Sequence, residues 1–195
     1  MLGEAMVAKL LDYVAARRTD FKSSVGYGES HELRSSLSLT DPGPFKAPIE
    51  NFVRGIAASA FAELNVAERV GEPEVADFAA YRDGDHFGAH IDTTVHPTRV
   101  RVVTCVYYFA MIPHRFSGGD LRLYGLRTFS GSGSASVVDV APETDTMVVF
   151  PSWLRHEVLP VRVPSGAWGD SRFSLNCVLH RVQRSAVSKS ADARA

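Results

Sequence analysis

From residue 74 onward the chain is a series of short apolar runs: "EVADFAAY", "RVRVVTCVYYFAM", "DLRLYGL", "ASVVDV", "DTMVVFP", "HEVLPVRV" and "RFSLNCVLHR". Each is rich in Val, Tyr and Phe, and Gly, Pro, Asp and Ser turns separate them, which is the pattern of strands joined by tight connections. Before them come two helical patterns. Met6, Leu10, Leu11, Tyr13 and Val14 recur at helical spacing, predicting an amphipathic helix over about residues 3–18. "APIENFVRGIAASAFAELNV" repeats the pattern, with Ile49, Phe52, Val53, Ile56 and Phe61 mostly on one side. Helices first and strands after predict a mainly β fold, an antiparallel sandwich or barrel braced by helices. At 195 residues a single domain is expected, with helical support over 1–70, a β core over 71–184 and a flexible tail over 185–195. "SSVGYGES" reads as loop, "ELRSSLSLT" as a strand ended by "DPGP", and "FSGSGSAS" as a flexible hairpin tip.

Charge narrows the function. Lys+Arg 21 against Asp+Glu 22 leaves a formal net charge of −1, which argues against a general nucleic-acid footprint. Cys105 and Cys177 lie inside apolar runs and read as small hydrophobes, so a reducing cytoplasm suits them. The N-terminal "MLGEAMVAKLLDYVAARR" lacks a clean secretory core, and no apolar run approaches a membrane span. A cytoplasmic protein is expected.

The chemistry concentrates in "YRDGDHFGAHID", Tyr81 to Asp92, with three carboxylates, two histidines and two glycines in twelve residues. A strand presents residues i and i+2 on one face, so His90 and Asp92 bring an imidazole and a carboxylate near one point. His156, in "FPSWLRHEVLPV", begins a later strand pattern and is the expected third ligand. Two histidines and one carboxylate on one face of an octahedron leave three positions open, the arrangement of non-haem Fe(II) oxygen chemistry. A helical zinc pair from His86 and His90 requires a helix that Gly84 and Gly88 oppose. His31, His96, His114 and His180 read as loop or surface residues.

After His156, Arg172 and Ser174 alternate onto one face of the last strand. A buried arginine facing a cavity needs an anion, because an unpaired buried charge is costly, and a dicarboxylate would supply it. Arg162 shares the parity of His156 and is the rival anchor, though Pro160 and Pro164 flank it.

H-x-D, a distal His and then R-x-S resemble the signature of the Fe(II)- and 2-oxoglutarate-dependent oxygenases. "YRDGDHFGAHID", "RVVTCVYYF" and the G-G-x-L of "SGGDLRLYG" resemble the prolyl-hydroxylase branch, over about residues 75–182. The resemblance implies a double-stranded β-helix, a jelly-roll or cupin-like core. It implies Fe(II) held by His90, Asp92 and His156, with 2-oxoglutarate gripped at its far carboxylate by Arg172. It implies that Tyr108 assists that grip with Thr104 and Val106 facing the same pocket, that Tyr81 borders cosubstrate and substrate, and that Ser174 completes the R-x-S. O2 is the oxidant, and ascorbate supports turnover. The collagen-type members commonly carry lysine where Arg172 stands, so this chain is nearer the arginine-using members.

The expected activity is hydroxylation of an unactivated aliphatic carbon, with a prolyl residue in a protein or peptide as the leading substrate. A free amino acid or natural-product intermediate is the alternative. "VPSGAWGD", residues 163–170, reads as an insertion able to line the substrate entrance through Trp168, and "SSVGYGESHELRSS" as a substrate-side flap with Arg34 as a carboxylate contact. Two readings from other classes are an inactive β-barrel binding module and a zinc hydrolase. Glu157, the nearest candidate base, alternates away from His156.

Overall fold

The computed structural model describes residues 1–24, 33–66, 70–93, 100–125 and 136–182. Two helices come early, α1 (Glu4–Ala16) and α2 (Lys46–Glu63), close to the predicted spans. The strands are β1 (Lys22–Ser23), β2 (Arg34–Ser35), β3 (Leu37–Leu39), β4 (Val70–Tyr81), β5 (His86–His90), β6 (Arg101–Phe109), β7 (Ser117–Gly118), β8 (Leu121–Tyr124), β9 (Val137–Val140), β10 (Thr146–Pro151), β11 (His156–Val158), β12 (Val161–Arg162) and β13 (Arg172–Arg181).

They form a six-stranded sheet in the order β1-β3-β4-β13-β6-β10 and a five-stranded sheet in the order β2-β5-β11-β8-β9, with β7 and β12 as a separate pair. Every pairing is antiparallel. The chain passes back and forth: β4 in the large sheet, β5 in the small, β6 in the large, β8 and β9 in the small, then β10, β11 and β13 alternating again. That winding is the double-stranded β-helix.

The large sheet serves two interiors because side chains alternate across a strand. Val103, Cys105, Tyr107 and Phe109 of β6 join Phe173, Leu175, Cys177 and Leu179 of β13 in a core closed by Val7, Leu10 and Val14 of α1 and Ile49 and Val53 of α2. Their sequence neighbours Val106 and Tyr108 turn the other way and pack with Phe87, Leu121, Phe150 and Val158 between the sheets. Cys105 stands directly opposite Cys177 in the β6–β13 ladder; both thiols are free and buried. Burial pushes both thiols up, Cys177 to about 12, so they behave as core filler.

Phe78 of β4 sits at the centre of the helix-side core, fully buried, with edge-on contacts to Phe45 and Phe109 at ring-centroid distances of 6.3 and 6.0 Å. Phe78→Ala is expected to destabilise the fold by roughly 3–5 kcal/mol through lost burial and a residual cavity. A urea melt checks it: the midpoint falls while the slope holds.

Several expected elements resolve differently. "ELRSSLSLT" is two short strands in different sheets, β2 and β3. "HEVLPVRV" breaks at Leu159–Pro160 into β11 and β12, since proline has no N–H to give a ladder. Trp168 does not reach the cavity: its indole N–H donates to the Val14 carbonyl at 3.0 Å, and its ring meets Phe21 and Phe173 edge-on. The insertion thus packs its half-buried tryptophan against α1 rather than on the cavity lining. Residues 25–32 of the flap segment 23–36, most of the tip "FSGSGSAS" and the tail from 185 lie outside the described residues.

Candidate metal centre and cavity

β5 and β11 pair so that His90 and His156 stand directly opposite each other. Opposed residues in an antiparallel pair share a face, which brings the two rings to 4.2 Å between centroids. Asp92 arrives by a different route from the one its i+2 spacing suggests. β5 ends at His90, and Asp92 lies just beyond it, where the backbone N–H groups of Asp92 and Thr93 donate to the Ser152 carbonyl at 2.8 and 3.1 Å. Asp92 Oδ1 is 3.5 Å from His90 Nε2, and Oδ2 is 3.8 Å from His156 Nε2. One ligand atom from each residue falls within 4.8 Å of the others, so the three can hold a metal ion.

Local hydrogen bonds fix how each donor is presented. His90 Nδ1 lies 2.8 Å from the Gly88 carbonyl, and His156 Nδ1 2.8 Å from the Leu154 carbonyl. A carbonyl only accepts, so each Nδ1 carries the proton and each Nε2 keeps its lone pair for the centre. Phe87 stacks on His90 at 3.5 Å between centroids and pins its plane. Burial works to raise the Asp92 carboxyl, but the hydrogen bond with His90, the charges of His156 and His90, and the Thr104 hydroxyl hold it at about 2. Thr104 Oγ1 donates to Asp92 Oδ2 at 2.8 Å and lies 2.9 Å from Ser152 Oγ. Burial, opposed by Asp92, lowers His156, which favours the neutral ring that a metal needs.

These groups border a cavity of about 280 Å³ between the sheets. Arg172 is 1% exposed, with its guanidinium 4.8 Å from the ring centres of both Tyr81 and Tyr108. Its Nε donates to the Gly119 carbonyl at 3.0 Å. Gly119 has φ +73°, and a Cβ there would lie 2.8 Å from Val161 Cγ2 and 3.1 Å from Arg172 Cδ, so the glycine leaves room for the arginine. Arg172 Nη2 and the Tyr108 hydroxyl are buried with no protein partner. Two orphaned donors on one cavity wall mark a place for an acceptor. Ser174 is buried on the same wall, and Thr104, Val106 and Tyr81 line it too.

The rival anchor fails on geometry: Arg162 is exposed on β12 and does not line the cavity. His86 lies in a strand, so a helical zinc pair does not form. Glu157 points outward, accepting from the Tyr124 hydroxyl at 2.5 Å. His114 is half-buried rather than solvated, bonded to Thr144 at 2.9 Å and stacked on Phe116. His180 is half-buried as well, 3.6 Å from Glu74. His31 and His96 lie outside the described residues.

Four contributors escaped the sequence reading. Gly119 was signalled by the paired glycines of "SGGD", and Asn176 by the same alternation that gave Arg172 and Ser174. Asp77 lies two steps of that alternation back from Tyr81, hidden in an apolar run. Ser152 had no signal, because its part is played by a backbone carbonyl and a hydroxyl against Thr104.

Residues 76–180 match the family profile of the 2OG-Fe(II) oxygenase superfamily. An uncharacterized PKHD-type hydroxylase of Synechocystis sp. (strain ATCC 27184 / PCC 6803 / Kazusa) is 36% identical over 99 residues, 50% of this chain and 33% of that protein. The chain therefore spans about a third of the length of this curated relative. Among solved structures, a Pseudomonas putida prolyl-4-hydroxylase matches with a TM-score of 0.64 and 24% identity, covering 92% of this chain and 88% of that one. A prolyl hydroxylase from Trichoplax adhaerens, in complex with a hypoxia inducible factor oxygen degradation domain peptide fragment, matches at 0.66 and 18%, covering 92% and 80%. These two likenesses are of fold.

Proposed function

The chain belongs to the 2OG-Fe(II) oxygenase superfamily, and from that membership we propose that it hydroxylates an unactivated aliphatic carbon. The balanced reaction is R–H + 2-oxoglutarate + O2 → R–OH + succinate + CO2, with ascorbate as a supporting reductant. One observation carries the reading: two histidines and an ionised carboxylate converge at a cavity whose wall also bears buried donors without an acceptor.

The residues fit the cofactors that the family implies. His90, Asp92 and His156 would hold Fe(II), a nitrogen and oxygen set with room for further ligands. Arg172 Nη2 and the Tyr108 hydroxyl would donate to the far carboxylate of 2-oxoglutarate, with Ser174 beside them. When bound, the iron would activate O2, which is the oxidant, and the keto acid, oxidised to succinate and CO2, would supply two of the four electrons that O2 takes up.

The chain's own task is placement. The Gly88 and Leu154 carbonyls keep both imidazoles in one tautomer, so no proton competes with the metal at Nε2. Thr104 spends its hydroxyl on Asp92, holding the carboxylate in one orientation. Phe87, Val106, Leu121 and Val158 make the cavity's apolar wall and keep water from the reacting centre. Tyr81, 3% exposed and packed on the Arg172 guanidinium, separates the anion end from the substrate side.

Thr104→Val keeps the shape and removes the hydrogen bond to Asp92. Metal affinity is expected to fall roughly 10- to 100-fold, as for other partners behind metal ligands. A Mn(II) titration followed by electron paramagnetic resonance measures it.

Zinc hydrolysis is disfavoured by the outward turn of Glu157, the only acid adjacent in sequence to His156. Halogenation is disfavoured by Asp92 itself, whose carboxylate stands where a halide would bind. The neighbours' prolyl hydroxylase descriptions suggest a prolyl residue in a protein or peptide as substrate. A free amino acid is the second reading, favoured by a carboxylate in the cavity, Asp77. The test is purified protein with Fe(II), ascorbate and 2-oxoglutarate: succinate must form, and substrates must gain one oxygen by mass spectrometry. No succinate under any condition overturns the reading.

A further inference from the structure

Asp77 is the second acid on the cavity lining beside Asp92, and nothing in the metal centre uses it. It reaches the cavity on the regular alternation that runs back from Tyr81 through Ala79, and β4 breaks just beyond it. Asn176 of β13 pairs with Asp77, but the next residue, Cys177, pairs with Val75, so Ala76 is extra. A bulge of this kind re-aims side chains. Val75 drops into the helix-side core while Ala76 and Asp77 both line the cavity. Asn176 Nδ2 donates to Asp77 Oδ1 at 2.7 Å. Among the described residues no cation lies within ion-pair distance of this carboxylate, although Arg34 and Arg101 line the same cavity. Asn176 also faces Val106 across the β6 ladder, two residues from Thr104 and its bond to Asp92.

A carboxylate held in place by a neutral amide and left without a cation is most stable with a donor brought by a ligand. 2-Oxoglutarate cannot serve, being an anion itself. We infer that Asp77 binds a protonated amine of the substrate, whose class is a free amino acid, with Arg34 or Arg101 available to its carboxylate. The inference rests on the oxygenase reading and selects within it. A prolyl residue inside a peptide has an acylated nitrogen with no hydrogen, so it offers Asp77 nothing.

The test presents wild-type protein with L-proline, L-leucine and L-lysine, their N-acetyl derivatives and an N-acetylated prolyl peptide, each with Fe(II), ascorbate and 2-oxoglutarate. At least one free amine should stimulate succinate release and gain one oxygen, and its acetyl derivative should not. Asp77→Asn should raise the KM for that amine roughly 10- to 100-fold, the worth of a hydrogen bond to a charged group. The KM for 2-oxoglutarate should stay as it was. Equal use of acetylated and free forms, or an unchanged amine KM in Asp77→Asn, overturns the assignment. Succinate release with no amine preference also overturns it while sparing the oxygenase reading. If succinate never forms, the oxygenase reading fails, and calorimetric titration of the three amines into protein holding Mn(II) and 2-oxoglutarate still decides. Binding that Asp77→Asn weakens sustains the amine site, and no binding removes it.

Discussion

An Asp92→Ala protein is expected to turn over no 2-oxoglutarate and to bind Mn(II) more than roughly a hundredfold more weakly, since even partners behind metal ligands cost 10- to 100-fold. The substitution removes the only anionic donor of the triad, leaving two neutral imidazoles 4.2 Å apart. It also releases the Thr104 hydroxyl, but the backbone bonds from residues 92 and 93 to Ser152 need no carboxylate, so the loop keeps its tether. The fold should therefore survive, and a thermal melt beside the titration shows whether it has. Retained turnover would remove the triad as the metal centre.

Arg172→Gln is expected to act on the other end of the cavity. The guanidinium is buried between two tyrosine rings and held at Nε by the Gly119 carbonyl. Losing one side of a buried charge pair costs about 2–5 kcal/mol, so the KM for 2-oxoglutarate should rise roughly 30-fold or more. Metal affinity should not change, because no triad residue touches Arg172. Arg172→Lys restores the charge without the planar fork and should recover only part of the loss. An unchanged 2-oxoglutarate requirement in Arg172→Gln would mean that the cosubstrate's far carboxylate is held elsewhere.

The parts of this arrangement that local rules govern were legible in the sequence. Strand alternation placed Arg172 and Ser174 on one face of their strand, and the family resemblance added Tyr108 with its alternate neighbours Val106 and Thr104, which line the same cavity. The same rule set Glu157 against His156. Its place at the start of a strand pattern singled out His156 among seven histidines, and β11 sets it opposite His90. What the sequence could not give depends on departures from regular period. Asp92 lies past the end of its strand and is steered by the Ser152 carbonyl, a contact between residues 60 apart. The bulge at Ala76 shifts the face of every residue before it, so no single parity describes β4. Trp168 read as a candidate entrance residue with surface packing as the alternative, because nothing in its own segment says that α1 offers the Val14 carbonyl.

The two-sided use of β6 and β13 has a further result. Odd-numbered positions from Val103 to Phe109 and from Phe173 to Leu179 pack on the helix side, while the even-numbered Val106, Asn176 and Val178 line the cavity. Pocket shape can thus be revised one side chain at a time with the helix-facing half of each strand untouched. A scaffold wired in this way is suited to acquiring new substrates, and a small library at those three sites is the natural place to retarget it.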